Sequence, residues 1–165
     1  MQVNTYSSAG TAYNQNGYGG MSYYSSETCG YPNGSSGSSV TTGCTTDYDQ
    51  SEVKYVVDAW ALDKFQSSDL KKDATGYSAR LITFDELTTS LGYEYLNNGS
   101  ATFWQKTSST PDWVYNSNYG YWTMSQFNDS VNSVWIVYNK GALSGQFLTD
   151  TNVVRPVVTL KKSAI

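Results

Sequence analysis

The clearest pattern of hydrophobic and polar positions lies between residues 77 and 92. Tyr77, Ala79 and Leu81 alternate with polar residues, which is the period of a β-strand with one buried face. Thr83 follows, with a glutamate three positions later, so that the two side chains can form a capping box at a helix start. This stretch therefore predicts a strand, a cap and a short helix.

The helix predicted here buries one face and ends at a glycine. Phe84, Leu87 and Leu91 recur at helical spacing. Ile82, just before the cap, is placed to pack on Leu87 as a hydrophobic staple. Gly92 follows at a position where a left-handed residue commonly ends a helix.

A longer helix is predicted earlier in the chain, with Asp49 as its cap, Glu52 in its first turn and its end near Gln66. Five apolar residues recur along it at helical spacing, and we expect the tryptophan among them to anchor the core. They are Val53, Val56, Val57, Trp60 and Ala61.

The last third of the chain predicts β-strands. A turn at 139–141 joins two of them into a hairpin. Pro156 favours an edge or bulge position in the final strand, because proline cannot donate to a strand ladder. The strands are expected over 121–125, 131–138, 142–148 and 153–160.

Two segments lack such periodicity. Residues 93–120 are expected to form a long irregular loop, and connections of this length are usually functional or disordered. Its many aromatic residues argue against disorder.

Residues 1–45 form an arm rich in Tyr, Gly and Ser, with short β-pieces expected at 2–6 and 21–25 and an edge at 40–42. The main domain spans 46–165, an α+β fold of two helices packed on a small twisted antiparallel sheet.

Composition excludes several functions. The net charge is −4 and only 15% of residues are charged, so there is no basic face to neutralise nucleic-acid phosphates. Histidine is absent, which removes Ser-His-Asp and Cys-His catalysis and most zinc sites. We expect no cofactor, no metal and no membrane span. The N-terminus lacks the basic and apolar regions of a signal peptide, so an exported chain would be a fragment of a longer one.

The only cysteines, Cys29 and Cys44, lie in the segment poorest in core-forming residues. A disulfide between them would stabilise the fold by roughly 3 kcal/mol and would indicate an oxidising, extracellular location. The alternative is a pair of free surface thiols in a cytosolic protein.

The order of elements resembles a C-type-lectin-like domain. Residues 79–87 are similar to the Arg-Leu-Pro-Thr-Glu-x-Glu-Trp segment of the formylglycine-generating-enzyme branch of that fold, with Ile82 in place of the proline. A closer resemblance is to a family of bacterial surface domains with a Tyr-Trp-Thr-Met-Ser strand, a Val-Trp strand and a closing Val-Arg-Pro-Val. The matching residues are 121–125, 134–135 and 154–157, and the resemblance covers about residues 45 to 165.

This resemblance implies a domain of secreted or cell-surface proteins, sometimes carried on pilin-like stems, and related domains display a diversified binding surface. The calcium-dependent sugar motifs Glu-Pro-Asn and Trp-Asn-Asp are missing. The cysteines of the formylglycine-generating enzyme also have no counterpart. Neither activity is therefore implied.

The candidate site is a cluster of aromatic and amide side chains, which supply rigid contact area and adaptable hydrogen bonds. Trp113 and Tyr115 have the alternative role of packing the loop onto the core. Arg155, in an apolar strand, is expected to be a buried partner of a carboxylate or carbonyl and not a catalytic group. The predicted ligand-binding residues are Trp104, Trp113, Tyr115, Asn116, Asn118, Tyr119, Gln126, Asn128 and Asp129.

Two chemical alternatives are weaker. Residues 47–51 resemble the start of a calcium loop, but Glu52 stands where a glycine is needed. A glycosidase needs two facing carboxylates. The candidates Asp85, Glu86, Asp112 and Asp129 show no such pattern, and Glu86 is taken by the cap.

The sequence thus predicts an extracellular, non-enzymatic domain that binds a protein or glycan on a surface through aromatic and amide side chains. The alternative is a structural subunit or tip of a bacterial surface fibre. In that case the N-terminal arm would mediate assembly by adding a strand to a neighbour.

Overall fold

The fold, described here from a computed structural model, combines helices with small antiparallel sheets and is α+β. The structure describes residues 21–24, 44–97, 102–114, 120–138 and 141–164. Within these ranges, no helix is long and apolar enough to cross a membrane. The elements are β1 (Met21–Ser22), α1 (Glu52–Lys64), β2 (Ala79–Arg80), α2 (Phe84–Thr89), β3 (Tyr93–Asn97), β4 (Thr102–Lys106), β5 (Tyr121–Gln126), β6 (Ser133–Val137), β7 (Leu143–Phe147), β8 (Thr151–Asn152) and β9 (Val157–Val158).

A three-stranded antiparallel sheet, in the order β5-β6-β7, lies at the centre. All five residues of β6 are buried. Because side chains alternate between the faces of a strand, Val134 and Ile136 enter one hydrophobic cluster while Trp135 and Val137 enter another. We call these the first core and the second core. The sheet is therefore covered on both faces.

Helix α1 buries one face in the first core, through residues that include Val53, Val57 and Trp60. The prediction that Trp60 anchors the core is confirmed. Asp49, however, is not the cap. Asp47 starts a single 3₁₀ turn at Tyr48–Gln50, and the hydroxyl of Ser51 then accepts from the amide of Lys54 to begin α1. The helix ends at Lys64, two residues before the predicted end.

Residues of the N-terminal segment complete the first core. Met21, Tyr23 and Tyr24 are buried in it, and the Trp122 indole N–H donates to the Met21 carbonyl at 2.7 Å. Strand β1 pairs with β8. It is two residues long and therefore covers only part of the strand predicted at 21–25. The boundary at residue 45 stays a prediction, as do the pieces at 2–6 and 40–42, which lie outside the described residues.

The stretch between residues 77 and 92 contains the predicted capping box. The hydroxyl of Thr83 accepts from the Glu86 amide, and the Glu86 carboxylate accepts from the Thr83 amide. Gly92 has the expected left-handed backbone, with φ +74°. The strand before the cap is shorter than predicted. Its one-sided alternation is also wrong, because Arg80 and Ile82 are buried as well.

The irregular loop predicted over 93–120 is wrong in its first half. Strands β3 and β4 form an antiparallel hairpin in which Tyr95 lies opposite Trp104. Aromatic cross-strand pairs of this kind stabilise a hairpin. A single bridge between Gln105 and Ala142 connects the hairpin to the central sheet at the start of β7. The hairpin thus lies at the outer side of that sheet.

The predictions for the last third hold with one correction. Strands β5, β6 and β7 match the expected positions, and Gly141 ends the β6–β7 turn with φ +81°; Asn139 and Lys140 lie outside the described residues. The single strand predicted over 153–160 is instead only the two-residue strand β9, and the short strand β8 lies before the predicted start, at Thr151–Asn152. Pro156, which has no N–H to donate, lies just before β9, and β9 pairs with β2.

The burial of the N-terminal segment predicts a large effect of Tyr23→Ala. The Tyr23 ring is fully buried and meets the Trp122 ring edge-on, with centroids 5.6 Å apart. Removing a buried aromatic ring costs about 3–5 kcal/mol. Urea unfolding should show this loss, whereas Tyr55→Ala, at a position 72% exposed, should change stability by less than about 1 kcal/mol. Equal effects of the two substitutions would contradict the placement of Tyr23.

Candidate functional site

Five aromatic rings contact one another in sequence on the second-core side of the molecule. The ring centroids are 5.4 Å apart from Tyr95 to Trp104 and from Trp104 to Phe84. They are 4.5 Å apart from Phe84 to Trp135 and from Trp135 to Phe127. We call these five residues the aromatic ladder. It runs from the exposed Tyr95, 57% accessible, to the nearly buried Trp135 and on to the half-buried Phe127.

Different elements supply the rings of the ladder. Tyr95 and Trp104 come from the hairpin, and Trp135 comes from β6, directly opposite Gly145 of β7. Phe127 follows β5 and lies against Gly145, where an added Cβ would be 2.6 Å from the ring. The missing side chain at Gly145 therefore makes the space that this end of the ladder occupies.

Phe84 is fixed because it is the first residue of α2. Its amide donates to the hydroxyl of Ser125 at 2.9 Å, which attaches the helix start to β5. The capping box sets the backbone immediately before it. The ring can then stack on Trp135 with an interplanar angle of 24°. The cap found in the sequence thus positions the central ring of the ladder.

A partly buried ion network around Arg80 supports this helix start. Arg80 donates to both carboxylate oxygens of Glu86, at 2.8 and 2.6 Å, and its Nε donates to Asp73 at 2.6 Å. A further guanidinium N–H donates to the Leu81 carbonyl. Burial would raise the pKa of Asp73, but hydrogen bonds from Thr75 and Arg80 outweigh it and lower the pKa to about 2. The pKa of Glu86 is lowered in the same way, chiefly by Arg80 against burial.

An open groove of about 580 Å³ begins at the Phe127 end of the ladder. Its size is in the range of ligand pockets. Among the residues that the structure describes, its walls carry amides, hydroxyls, two phenyl rings and one carboxylate. They are Phe127, Asn128, Ser130, Asn132, Ser133, Gly145, Gln146, Phe147 and Asp150.

Three of the predicted ligand-binding residues form the β5–β6 turn. Asn128 and Asp129 have positive φ, 41° and 58°, a conformation that Asn and Asp tolerate better than most residues. The side-chain amide of Gln126 donates from Nε2 to the Ser130 carbonyl at 2.8 Å. The geometry of the turn is thus enough to explain these residue types. Of the three residues, only Asn128 lines the groove.

The other predicted site residues divide between the ladder, a separate turn and positions outside the described residues. Trp104 belongs to the ladder. Trp113 is 59% exposed on a turn after β4, so the alternative in which it packs on the core is wrong. The described ring partners of Trp104 are Phe84 and Tyr95, and Trp113 is not one of them. Tyr115, Asn116, Asn118 and Tyr119 lie outside the described residues.

Arg155 holds the turn that carries Trp113. Its guanidinium donates to the carbonyls of Trp113 and Val114 and lies 4.6 Å from the centroid of the Tyr121 ring. The Tyr121 hydroxyl donates to the same Val114 carbonyl at 2.6 Å. The prediction of a carbonyl partner for Arg155 is confirmed, although the side chain is only partly buried.

Four ladder residues were not among the predicted ligand-binding residues: Phe84, Tyr95, Phe127 and Trp135. Phe84 lies on the apolar face predicted for the short helix, and Trp135 lies in the Val-Trp strand motif, so the sequence indicates a core role for each. The signal for Tyr95 was the Asn-Gly dipeptide at 98–99 between aromatic residues, which is typical of a hairpin. No local pattern indicates that Phe127 lies over Gly145, since that contact depends on tertiary packing.

The cysteines and acidic candidates complete the inventory of predicted sites. Cys44 is disulfide-bonded, and Cys29, the only other cysteine of the chain, lies outside the described residues, so their pairing stays a prediction. Glu86 is engaged by Arg80 and by the Thr83 amide. Asp85, Asp112 and Asp129 are exposed.

No protein-family model, curated protein or solved structure is similar to this chain at a significant level. The resemblance to C-type-lectin-like surface domains therefore stays a prediction based on short motifs. The geometry of the ladder and the groove is what bears on function.

The ion network predicts a pH-dependent effect of Asp73→Asn. The folded-state pKa of Asp73, about 2, lies below the ordinary 3.8. Its stabilising contribution is therefore complete above the ordinary value and is lost as the pH falls through the folded value. At neutral pH the variant should lose about 1–2 kcal/mol, after allowance for partial solvent screening. The difference should vanish as the pH falls from about 4 to about 2.

Urea unfolding followed at several pH values measures this difference. Asp63→Asn is the matched control, because Asp63 makes only an exposed pair with Lys64 and such pairs contribute about 0–1 kcal/mol. A pH-independent difference for Asp73→Asn would contradict the ion-pair explanation.

Proposed function

We propose that this protein is an extracellular, non-enzymatic recognition domain of the C-type-lectin-like kind. It binds a protein or glycan on a surface through the aromatic ladder and the adjoining groove, without a metal. The observation that carries the proposal is the ladder itself. Five rings are fixed in contact with one another, from the nearly buried Trp135 to the outermost ring, Tyr95, which is 57% exposed.

Fixed, partly exposed rings favour binding for energetic reasons. Aromatic side chains provide a large contact area and lose little conformational entropy on binding. They are also enriched among the residues that dominate binding energies. In the ladder the inner rings are already held by stacking and by the core, so little further ordering is needed when a ligand arrives.

The location outside the cell rests on chemistry rather than on the ladder. Cys44 is disulfide-bonded, and disulfides persist mainly in oxidising compartments. The chain is also poor in charge and rich in Tyr, Ser, Gly, Asn and Thr. The motif resemblance to bacterial surface domains points to the same location.

The proposed function predicts a loss of binding in Tyr95→Ala. The full chain is first screened against arrayed glycans and surface proteins, and the affinity for any ligand found is measured by calorimetry. Removal of a ring at a binding hot spot costs at least about 2 kcal/mol, or about 30-fold in affinity. Tyr55→Ala, a tyrosine on α1 that is 72% exposed, should bind as tightly as the unmodified chain.

Equal binding by Tyr95→Ala and the unmodified chain would show that the ligand does not bind at the Tyr95 end of the ladder. Both variants alter exposed tyrosines, so their thermal unfolding should stay close to that of the unmodified chain. A loss of binding can therefore be separated from a loss of folding.

A second candidate function, a structural subunit of a surface fibre, is favoured by the edge of β3. Within the described residues, β3 pairs only with β4, and residues 94–97 are all exposed. Tyr95 and Leu96 provide apolar contact on this edge. Exposed apolar edge strands are sites where an extended segment of a neighbour can add.

Fibre assembly through this edge predicts a specific effect of Leu96→Lys. A lysine on an edge strand opposes strand addition. Light scattering of the full chain at rising concentration should then show oligomers that this variant lacks. Leu62→Lys, at an exposed position of α1, should still assemble. A chain that stays monomeric at every concentration would rule out assembly by this edge.

A further inference from the structure

The groove at the Phe127 end of the ladder has the chemistry of a carbohydrate site. We propose that it binds a neutral, hydroxyl-rich oligosaccharide, with the chain continuing onto the aromatic ladder. This inference rests on the proposed function and narrows its ligand class.

The charge of the groove favours a neutral ligand. Within the described part of the chain, Asp150 is the only charged residue that lines it, and no lysine or arginine does. An anionic ligand such as a phosphorylated or uronic-acid chain would bring a negative charge beside Asp150 without a cation to pair it. Acidic sugars and phosphopeptides are therefore disfavoured.

The polar groups of the groove are already oriented. The Gln146 amide donates to one carboxylate oxygen of Asp150. The Ser130 and Ser133 hydroxyls both donate to the Asn132 side-chain oxygen, at 2.7 and 3.2 Å. These bonds fix the amide and carboxylate groups before a ligand arrives.

The remaining hydrogen-bonding capacity suits hydroxyl groups. Gln146 keeps its side-chain oxygen and one N–H, and Asp150 keeps its second carboxylate oxygen, since the Gln146–Asp150 bond uses only one group of each. Acceptors and a donor side by side can bond adjacent hydroxyls of a sugar ring, each of which both donates and accepts. An apolar ligand would leave these groups unsatisfied, which is costly in a partly buried site.

The apolar wall suits the other side of a sugar. Phe127 and Phe147 line the groove, and Phe127 lies against Gly145 and makes an edge-on ring contact with Trp135. The C–H groups on a face of a pyranose carry partial positive charge and are attracted to the negative face of an aromatic ring. Rings on one side and oriented amides on the other thus match the two chemically different sides of a pyranose.

The continuity between groove and ladder favours a chain over a single sugar. Phe127 both lines the groove and contacts Trp135, from which the ladder continues to Phe84, Trp104 and Tyr95. Trp135 is only 9% exposed and stacks on Phe84, so a chain that extends from the groove would meet accessible ring surface at the outer ladder residues, the half-buried Trp104 and the exposed Tyr95. Longer oligosaccharides should bind more tightly than short ones.

The experiment titrates the full chain with purified hexasaccharides of five neutral types: β-1,4-glucan, chitin, α-1,4-glucan, xylan and mannan. Hexagalacturonate serves as the acidic counterpart. Binding is measured by calorimetry and by tryptophan fluorescence, which reports on the ladder. At least one neutral hexasaccharide should bind, more tightly than its disaccharide and than hexagalacturonate, and its affinity should not fall in 0.5 M salt, because a neutral ligand is not screened.

Gln146→Leu tests the groove directly. It should weaken binding of that hexasaccharide at least about 10-fold. The substitution removes the hydrogen bonds from the Gln146 side chain to the ligand and also the bond that orients the Asp150 carboxylate. Asp63→Asn, on the exposed face of α1, should have no effect. Thermal unfolding of each variant shows whether it is folded.

Each other outcome overturns the inference. Tighter binding of hexagalacturonate than of every neutral hexasaccharide would show that the ligand class is acidic. Unchanged binding in folded Gln146→Leu would show that the ligand binds outside the groove. If no oligosaccharide binds but a surface protein binds in a manner that requires Tyr95, the carbohydrate inference fails and the recognition function stands. If the glycan and protein screens both find nothing, the two proposals fail together.

Discussion

The buried guanidinium of Arg80 is the constraint on which the rest of the structure depends. It lies where the chain passes from the first core to the second: Ala79 and Leu81 belong to one, Ile82 and Leu87 to the other. A buried charge must be paired, and a buried charge left without any compensating partner typically costs about 3–5 kcal/mol. Here Asp73, Glu86 and the Leu81 carbonyl supply the partners.

This requirement couples folding to the candidate site. Glu86 pairs with Arg80 and closes the capping box at the same time, so the helix start and the buried cation are fixed together. Phe84, held at that helix start, then stacks on Trp135 of the central strand. A change at Asp73 or Glu86 should therefore disturb the centre of the ladder as well as the overall stability.

The parts that sequence reasoning predicted are those specified by neighbours in the chain. The capping box at Thr83 and the apolar stripe of α1 depend on residues three or four positions apart, and both are present. The burial of Arg80 escaped prediction because its pairing with Asp73 is not periodic. The β3–β4 hairpin was also missed, although its Asn-Gly dipeptide was a local signal.

The ladder shows why the site is harder to predict than the fold. Phe84 and Trp135 are 51 positions apart in the sequence, and each alone is indistinguishable from an ordinary core residue. Only the packing of α2 against the central sheet makes them neighbours. The same holds for Phe127, whose position depends on the absence of a side chain at Gly145.

In the proposed recognition function, the ladder and the groove contribute differently. Stacking on rings tolerates many ligands, because it requires only a flat apolar face. The oriented amide and carboxylate groups of Gln146 and Asp150 are more selective, since a ligand without matching hydroxyls leaves them unsatisfied. A sequence that varied at the groove while keeping the ladder would therefore change its specificity without losing its binding surface.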